Sequence, residues 1–232
     1  MSYTNKKNIY IPFREDELNQ RLHSFNRIKQ YYESNNFNVI VLDSGHEVFN
    51  PAASKNMAFD RDEDIFCIIN ADVLIDVYSL NKSIELCNKY KCSIKPFKRR
   101  FLVNDLDEYV DLLSGESIVE SFNYHSVLHY YSGGAWIIYN EKDKIEKFNE
   151  DILDQNINNL EYLVRSSIDS KTIFYSSDCY SLNHAKINFN KNYFNPNNFF
   201  NNLSSYTLPV YKNSPSQENL VSAEEIKNGF IF

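Results

Sequence analysis

Residues 65–72 read Ile-Phe-Cys-Ile-Ile-Asn-Ala-Asp, five apolar side chains in a row and then a polar stop. A run so short and apolar at every position is a strand buried on both faces. Upstream, residues 37–45 (FNVIVLDSG) and 8–15 (NIYIPFRE) repeat the pattern of apolar run and polar cluster. Between these two, residues 15–33 space Leu18, Leu22, Phe25, Ile28 and Tyr32 along one helical face, and Asn35-Asn36 stops it. A short helix is expected over 52–59. Residues 78–90 place Leu80, Ile84 and Cys87 on one side of another helix, and 92–96 offers the next strand. Apolar strands alternating with amphipathic helices specify an α/β domain, a mostly parallel central sheet flanked by helices. Ligands of such sheets bind beyond the carboxyl ends of the strands. Three polar clusters fall there: 12–15, 43–45 and 70–72.

The second half is less regular. Residues 106–113 read as a helix, and Ser132-Gly133-Gly134 leads into the apolar strand 135–139 (AWIIY). Helices are expected over 142–148 and 157–165, the latter with Ile157, Leu160 and Val164 inward, and short strands over 172–175 and 180–182. The core domain is placed at 1–186. The Asn- and Phe-rich segment 187–232 is read as an irregular appendage.

Bulk composition narrows the classes. The chain has 232 residues, with only 5 Gly and 6 Pro, which excludes collagen-like and Pro/Gly-rich disordered chains. No stretch of 18 apolar residues occurs and the first residues are polar, so neither a membrane span nor a signal peptide is expected. The four cysteines, Cys67, Cys87, Cys92 and Cys179, form no CxxC pair. They read as buried thiols of a reducing, cytoplasmic compartment rather than a zinc site. A net charge of -7 argues against a protein that coats nucleic acid. The exception is the run 94–100 (IKPFKRR), whose Lys95, Lys98, Arg99 and Arg100 read as a solvated loop or as a local contact for DNA. No GxGxxG, GxxxxGK[ST] or GxSxG motif occurs, which removes the classical dinucleotide fold, the P-loop and the hydrolase elbow.

Several residues carry chemistry. Asp72, at the end of the strongest strand, is placed to hold Mg²⁺ or Mn²⁺ or to cap a turn. Asp43 is placed to accept hydrogen bonds from a base or ribose, or to close an Asx-turn. Arg14 and Arg21, with Lys55 and Asn56, suit an anionic cleft, because the guanidinium fork matches phosphate geometry. Gly133 and Gly134 allow close backbone approach or a simple turn. His184 completes a mixed nitrogen and oxygen metal site with Asp72, or lies on the surface.

Taken in chain order, these features resemble the nucleotide-sugar glycosyltransferases of the GT-A fold. The nearest kind is the inverting, metal-dependent one, as in chondroitin-polymerase and galactosyltransferase-like domains. The resemblance runs through Ile11-Pro12-Phe13-Arg14 with Arg21, Asp43, Ala52-Ala53-Ser54-Lys55-Asn56, Asn70-Ala71-Asp72, the strand after Gly133-Gly134, Lys147-Phe148-Asn149-Glu150 and His184. It implies that Pro12, Arg14, Arg21, Asp43, Lys55, Asn56, Asn70, Ala71, Gly133 and Gly134 bind the donor. Asp72 and His184 would then ligate Mn²⁺ or Mg²⁺. The family's catalytic-helix pattern falls on 158–165, where Asn158 and Asn159 replace two acids and Glu161 and Arg165 remain. Glu161 or Asp154 would then be the catalytic base, beside Arg165.

The implied activity moves a sugar from a nucleotide sugar, first of all a UDP-sugar, to an acceptor hydroxyl with inversion. The acceptor is a glycan, a lipid-linked glycan, a protein or a small molecule; a hydroxymethylated DNA base is the less favoured choice. A catalytically weakened nucleotide-sugar-binding protein is the alternative, on account of Asn70, Asn158 and Asn159. A nucleotidyltransferase would carry a Gly-rich phosphate loop after the first strand, where Pro12-Phe13-Arg14-Glu15 stands.

Overall fold

The computed structural model of the chain describes residues 6–15, 21–97, 99–103, 107–114, 126–129, 134–141, 145, 147–151, 162, 173–175, 178–182, 207–211 and 218–222. In chain order the strands are β1 (Lys7–Pro12), β2 (Phe37–Leu42), β3 (Ile65–Ile69), β4 (Val73–Ile75), β5 (Ile94–Lys95) and β6 (Arg99–Val103). They continue as β7 (Ser126–His129), β8 (Ala135–Tyr139), β9 (Ile173–Tyr175), β10 (Asp178–Leu182), β11 (Thr207–Tyr211) and β12 (Glu218–Ser222). The helices are α1 (Leu22–Ser34), α2 (Pro51–Asn56), α3 (Val77–Tyr90) and α4 (Asp107–Ser114).

The result is a mixed α/β domain whose central sheet is flanked by helices. Eight strands lie in the order β12-β11-β9-β5-β8-β3-β1-β2, and a smaller sheet runs β4-β10-β6-β7. β2, β1 and β3 form a parallel block. β8 then enters antiparallel, with Ile69 opposite Ala135 and Ile65 opposite Tyr139, and β5 pairs antiparallel on its far side. β9 and β11 resume the parallel direction and β12 reverses it. The antiparallel insertion of β8 is invisible in its sequence, because Ala-Trp-Ile-Ile-Tyr is as apolar as any parallel core strand.

Burial follows position in the sheet. Ile9, Tyr10 and Ile11 of β1, Phe66 to Ile69 of β3 and Ala135 to Ile138 of β8 are all buried. β2 differs: Asn38 and Val41, on opposite faces of the strand, are exposed, and β2 stands last in the sheet order. Phe25, Ile28, Tyr31 and Tyr32 are the buried face of α1, and Phe25 stacks on Phe13 at 4.1 Å. In α3, Asp76 accepts from the Ser79 amide (2.8 Å), a side-chain cap that opens the helix, and Leu80 and Cys87 are buried. All four cysteines are buried thiols, in line with the sequence reading.

Two tyrosines of α1 fasten the β4–α3 junction. The Tyr32 hydroxyl accepts from the Ile75 amide (3.0 Å) and the Tyr31 hydroxyl from that of Val77 (3.2 Å). Burial pushes the Tyr31 hydroxyl up to about 12. Tyr32→Phe removes the acceptor and strands a buried amide, so a loss of about 1–3 kcal/mol in urea unfolding is expected. A loss below about 0.5 kcal/mol would show that the Ile75 amide finds another partner.

Several sequence expectations change. α1 starts at Leu22, with residues 16–20 outside the described set. The helix expected over 52–59 is α2 followed by a 3₁₀ turn, Met57–Asp60. Lys147 and Phe148 are not helical, although a helix was expected through 148. Within the basic run, Lys95 and Arg100 are buried rather than solvated and β6 begins at Arg99, while Lys98 lies outside the described residues. The segment read as irregular contributes β11 and β12, which extend the central sheet beyond β9. Among the described residues, no helix is long and apolar enough to cross a membrane.

Candidate functional site

The carboxyl ends of β1, β2 and β3 carry the polar clusters that the sequence placed there. Pro12 closes β1 opposite Leu42 of β2, which sets Arg14 beside Asp43. The Arg14 guanidinium donates through Nε to Asp43 Oδ2 (2.7 Å) and through Nη2 to Oδ1 (2.6 Å). Its Nη1 donates to the His46 carbonyl (2.6 Å), and the guanidinium lies over the Phe49 ring at 5.6 Å. Asp43 also accepts from the Gly45 amide (2.9 Å) in a turn where Gly45 takes a positive φ of 73°. Asp43 thus closes an Asx-turn, and its carboxylate stays partly exposed. The Arg14 hydrogen bonds hold that carboxyl below its usual range.

α2 joins this pair to the end of β3. Asn50 accepts from the Ala52 and Ala53 amides (3.1 Å each), with Pro51 in the first turn, which is why six residues suffice for a helix. Ser54 Oγ accepts from the Ser44 amide (3.1 Å), tying α2 to the Asp43 loop. Asn56 grips the backbone of Phe148 in both directions: its Nδ2 donates to the Phe148 carbonyl (3.0 Å) and its Oδ1 accepts the Phe148 amide (2.8 Å). The same Nδ2 reaches Glu150 Oε1 (2.7 Å), and Asn50 Nδ2 donates to the Glu150 carbonyl (2.9 Å).

The Asn70-Ala71-Asp72 turn follows β3. The Asn70 amide donates to the Gly134 carbonyl (2.6 Å), and the Val73 amide donates to the Asn70 carbonyl (3.1 Å). Gly134 has a φ of 140°, and a Cβ there would stand 3.1 Å from the Val73 side chain. Glycine is thus required by backbone geometry and packing. Asp72 Oδ2 lies 3.4 Å from Arg100 Nη2, with the two side chains only 13% and 9% exposed.

Two buried lysines complete the cluster. Lys55 Nζ stands over the Phe148 ring at 4.7 Å; burial pushes its amine down to about 7, while the Asp72 charge pulls the other way. Lys95 Nζ donates to the Ala135 carbonyl (2.9 Å) and sits 4.4 Å from the Phe97 ring and 4.5 Å from Trp136. Burial pushes Lys95 well below its usual value, and the positive charges of Arg100 and Lys55 act in the same direction. Phe148 stacks on Tyr162 at 3.9 Å, and Tyr162 meets Trp136 edge-on at 5.4 Å. The buried Trp136 Nε1 has no hydrogen-bond partner among the described residues.

The structure therefore brings Arg14 to Asp43, and Arg100 to Asp72, past the ends of the strands. Arg21 stands at the start of α1, where its carbonyl accepts the Phe25 amide. Gly133, Asp154, Asn158, Asn159, Glu161, Arg165 and His184 lie outside the described residues. Among the described residues, no group of three or more His, Cys, Asp or Glu is arranged to hold a metal. Sequence reasoning missed Lys95 and Arg100 as buried groups. The available signal was their setting, with Phe97 two residues beyond Lys95 and Phe101-Leu102-Val103 directly after Arg100. No family model matches the chain, and none of the curated proteins does either.

Proposed function

We propose that the protein is a GT-A-like glycosyltransferase that draws on a nucleotide sugar, with a UDP-sugar as first choice. One observation carries the reading: the carboxyl edge of the parallel β2-β1-β3 block joins an oriented carboxylate to a buried basic cluster through α2. Asp43 Oδ2 is bonded to Arg14 Nε and, as a carboxylate oxygen, has a further lone pair for an N–H of a base. The basic cluster suits the diphosphate. In the transfer step the acceptor oxygen attacks the anomeric carbon, the bond to the diphosphate oxygen breaks, and a carboxylate takes the acceptor proton. The resemblance assigns that role to Glu161 or Asp154.

The test is binding, hydrolysis and transfer across UDP-, GDP- and CMP-sugars, with and without Mn²⁺. Arg14→Met should weaken donor binding about tenfold by releasing Asp43 from its orientation. Glu161→Gln should lower turnover more than donor affinity if Glu161 is the base. Binding without turnover favours the weakened donor-binding alternative, to which Asn70 in place of an acid belongs. Failure of every nucleotide sugar to bind or react, in either metal condition, ends the glycosyltransferase reading.

A further inference from the structure

We propose that two copies of this chain pair through the outer edge of β2, antiparallel across a twofold axis, so that their central sheets join into one. The inference stands apart from the donor reading. β2 is the last strand of the sheet and its sequence is Phe-Asn-Val-Ile-Val-Leu. Exposed sheet edges are usually blunted by a charge, a proline, a bulge or shortness. β2 has none of these: it is six residues long, uncharged and in unbroken register with β1.

The direction of its free main-chain groups follows from one bond. The Phe13 amide donates to the Leu42 carbonyl (3.0 Å), so the main-chain groups of Leu42, and of Ile40 and Asn38 in step with it, point at β1. Those of Phe37, Val39 and Val41 point the other way, where no described strand stands. This outward set is symmetric about Val39. An antiparallel second copy therefore sets Val39 opposite its own counterpart and Phe37 opposite Val41, twice. Every outward group is then paired, in about six hydrogen bonds at two per facing pair. A twofold contact of this kind is self-complementary and closes at the dimer. Charge favours the same occupant. The chain carries a net -7, and two copies meeting at β2 bring no charged side chain of that strand against another. Val41, 42% exposed, gains Phe37 of the second copy as its neighbour.

The edge contact is smaller than a standard interface of about 1,200 Å², so the dimer should be reversible, with a dissociation constant on the order of 10 µM. Sedimentation of the full chain from about 1 to 300 µM should show monomer passing to dimer. Over that range, hydrogen exchange at the Val39 and Val41 amides should slow several-fold more than at Ile40 and Leu42, whose amides already point at β1. Val41→Lys should weaken the dimer at least about tenfold, with thermal unfolding of the dilute protein unchanged. Tyr78→Lys, at an exposed aromatic on α3, should leave it intact. The exchange measurement uses the parent protein and needs neither variant to fold. A monomer at every concentration overturns the proposal, as does association that grows past the dimer. A dimer whose Val39 and Val41 amides exchange unchanged, or that both variants or neither variant weaken, overturns it too.

Discussion

Asn56→Leu should destabilise the protein by about 4 kcal/mol in denaturant unfolding. Asn56 and Phe148 are both buried, and the amide side chain satisfies the N–H and the carbonyl of Phe148 at 2.8 and 3.0 Å. Leucine has similar bulk and no polar atom, so both backbone groups lose their partner inside the protein. Each stranded group costs about 1–3 kcal/mol, and the bond to Glu150 is lost as well. Hydrogen exchange at the Phe148 amide should accelerate in parallel. The damage should spread to Lys55 and Tyr162, because both pack on the Phe148 ring. A cost below about 1 kcal/mol, with exchange unchanged, would mean that residues 147–151 are held in place without α2.

Lys55→Met should have the opposite sign. The Lys55 amine is pushed by burial from 10.5 to about 7, so between those values the unfolded chain binds a proton that the folded chain lacks. Stability of the parent protein from this group therefore rises with pH across about 7 to 10.5, and below 7 the burial penalty is present in full. Methionine keeps the apolar stem over Phe148 without the charge. The variant should be more stable than the parent at pH 6 by on the order of 3 kcal/mol, and the gap should shrink toward pH 10. Cys67 and Cys87, whose thiols burial pushes up, work in the other direction as pH rises, but they are common to both proteins and cancel in the difference. Urea unfolding at several pH values checks the sign. A variant less stable at pH 6, or a gap that ignores pH, would contradict it. Gain in stability with loss of nucleotide binding is the behaviour expected of a group kept for a ligand rather than for folding.

Much of the placement of these residues is legible in the sequence. β1, β3 and β8 coincide with their apolar runs to within a residue, and Arg14, Asp43 and Asp72 stand just past strand ends as the runs implied. α2 was half legible. Asn50-Pro51 is a cap followed by a helix-starting proline, yet nothing local says that Asn56 reaches Phe148, 92 residues away. The basic run misled for a related reason. A lysine or arginine counts as polar in any pattern, although its stem is apolar and its charge is buried once a partner and aromatic rings surround it.

Local chemistry accordingly settles where strands and helices lie, which strand ends are polar, and that the four thiols are interior, because period and apolarity are properties of neighbouring residues. The antiparallel seat of β8 between β3 and β5, the joining of β11 to β9, the pairing of Arg100 with Asp72 and the burial of Lys95 against Ala135 and Trp136 belong to the folded chain. They depend on contacts between segments far apart in sequence, such as Arg100 with Asp72 across 28 residues. No local pattern encodes the partner of a long-range contact. That partner is chosen when strand pairing and charge burial are minimised together.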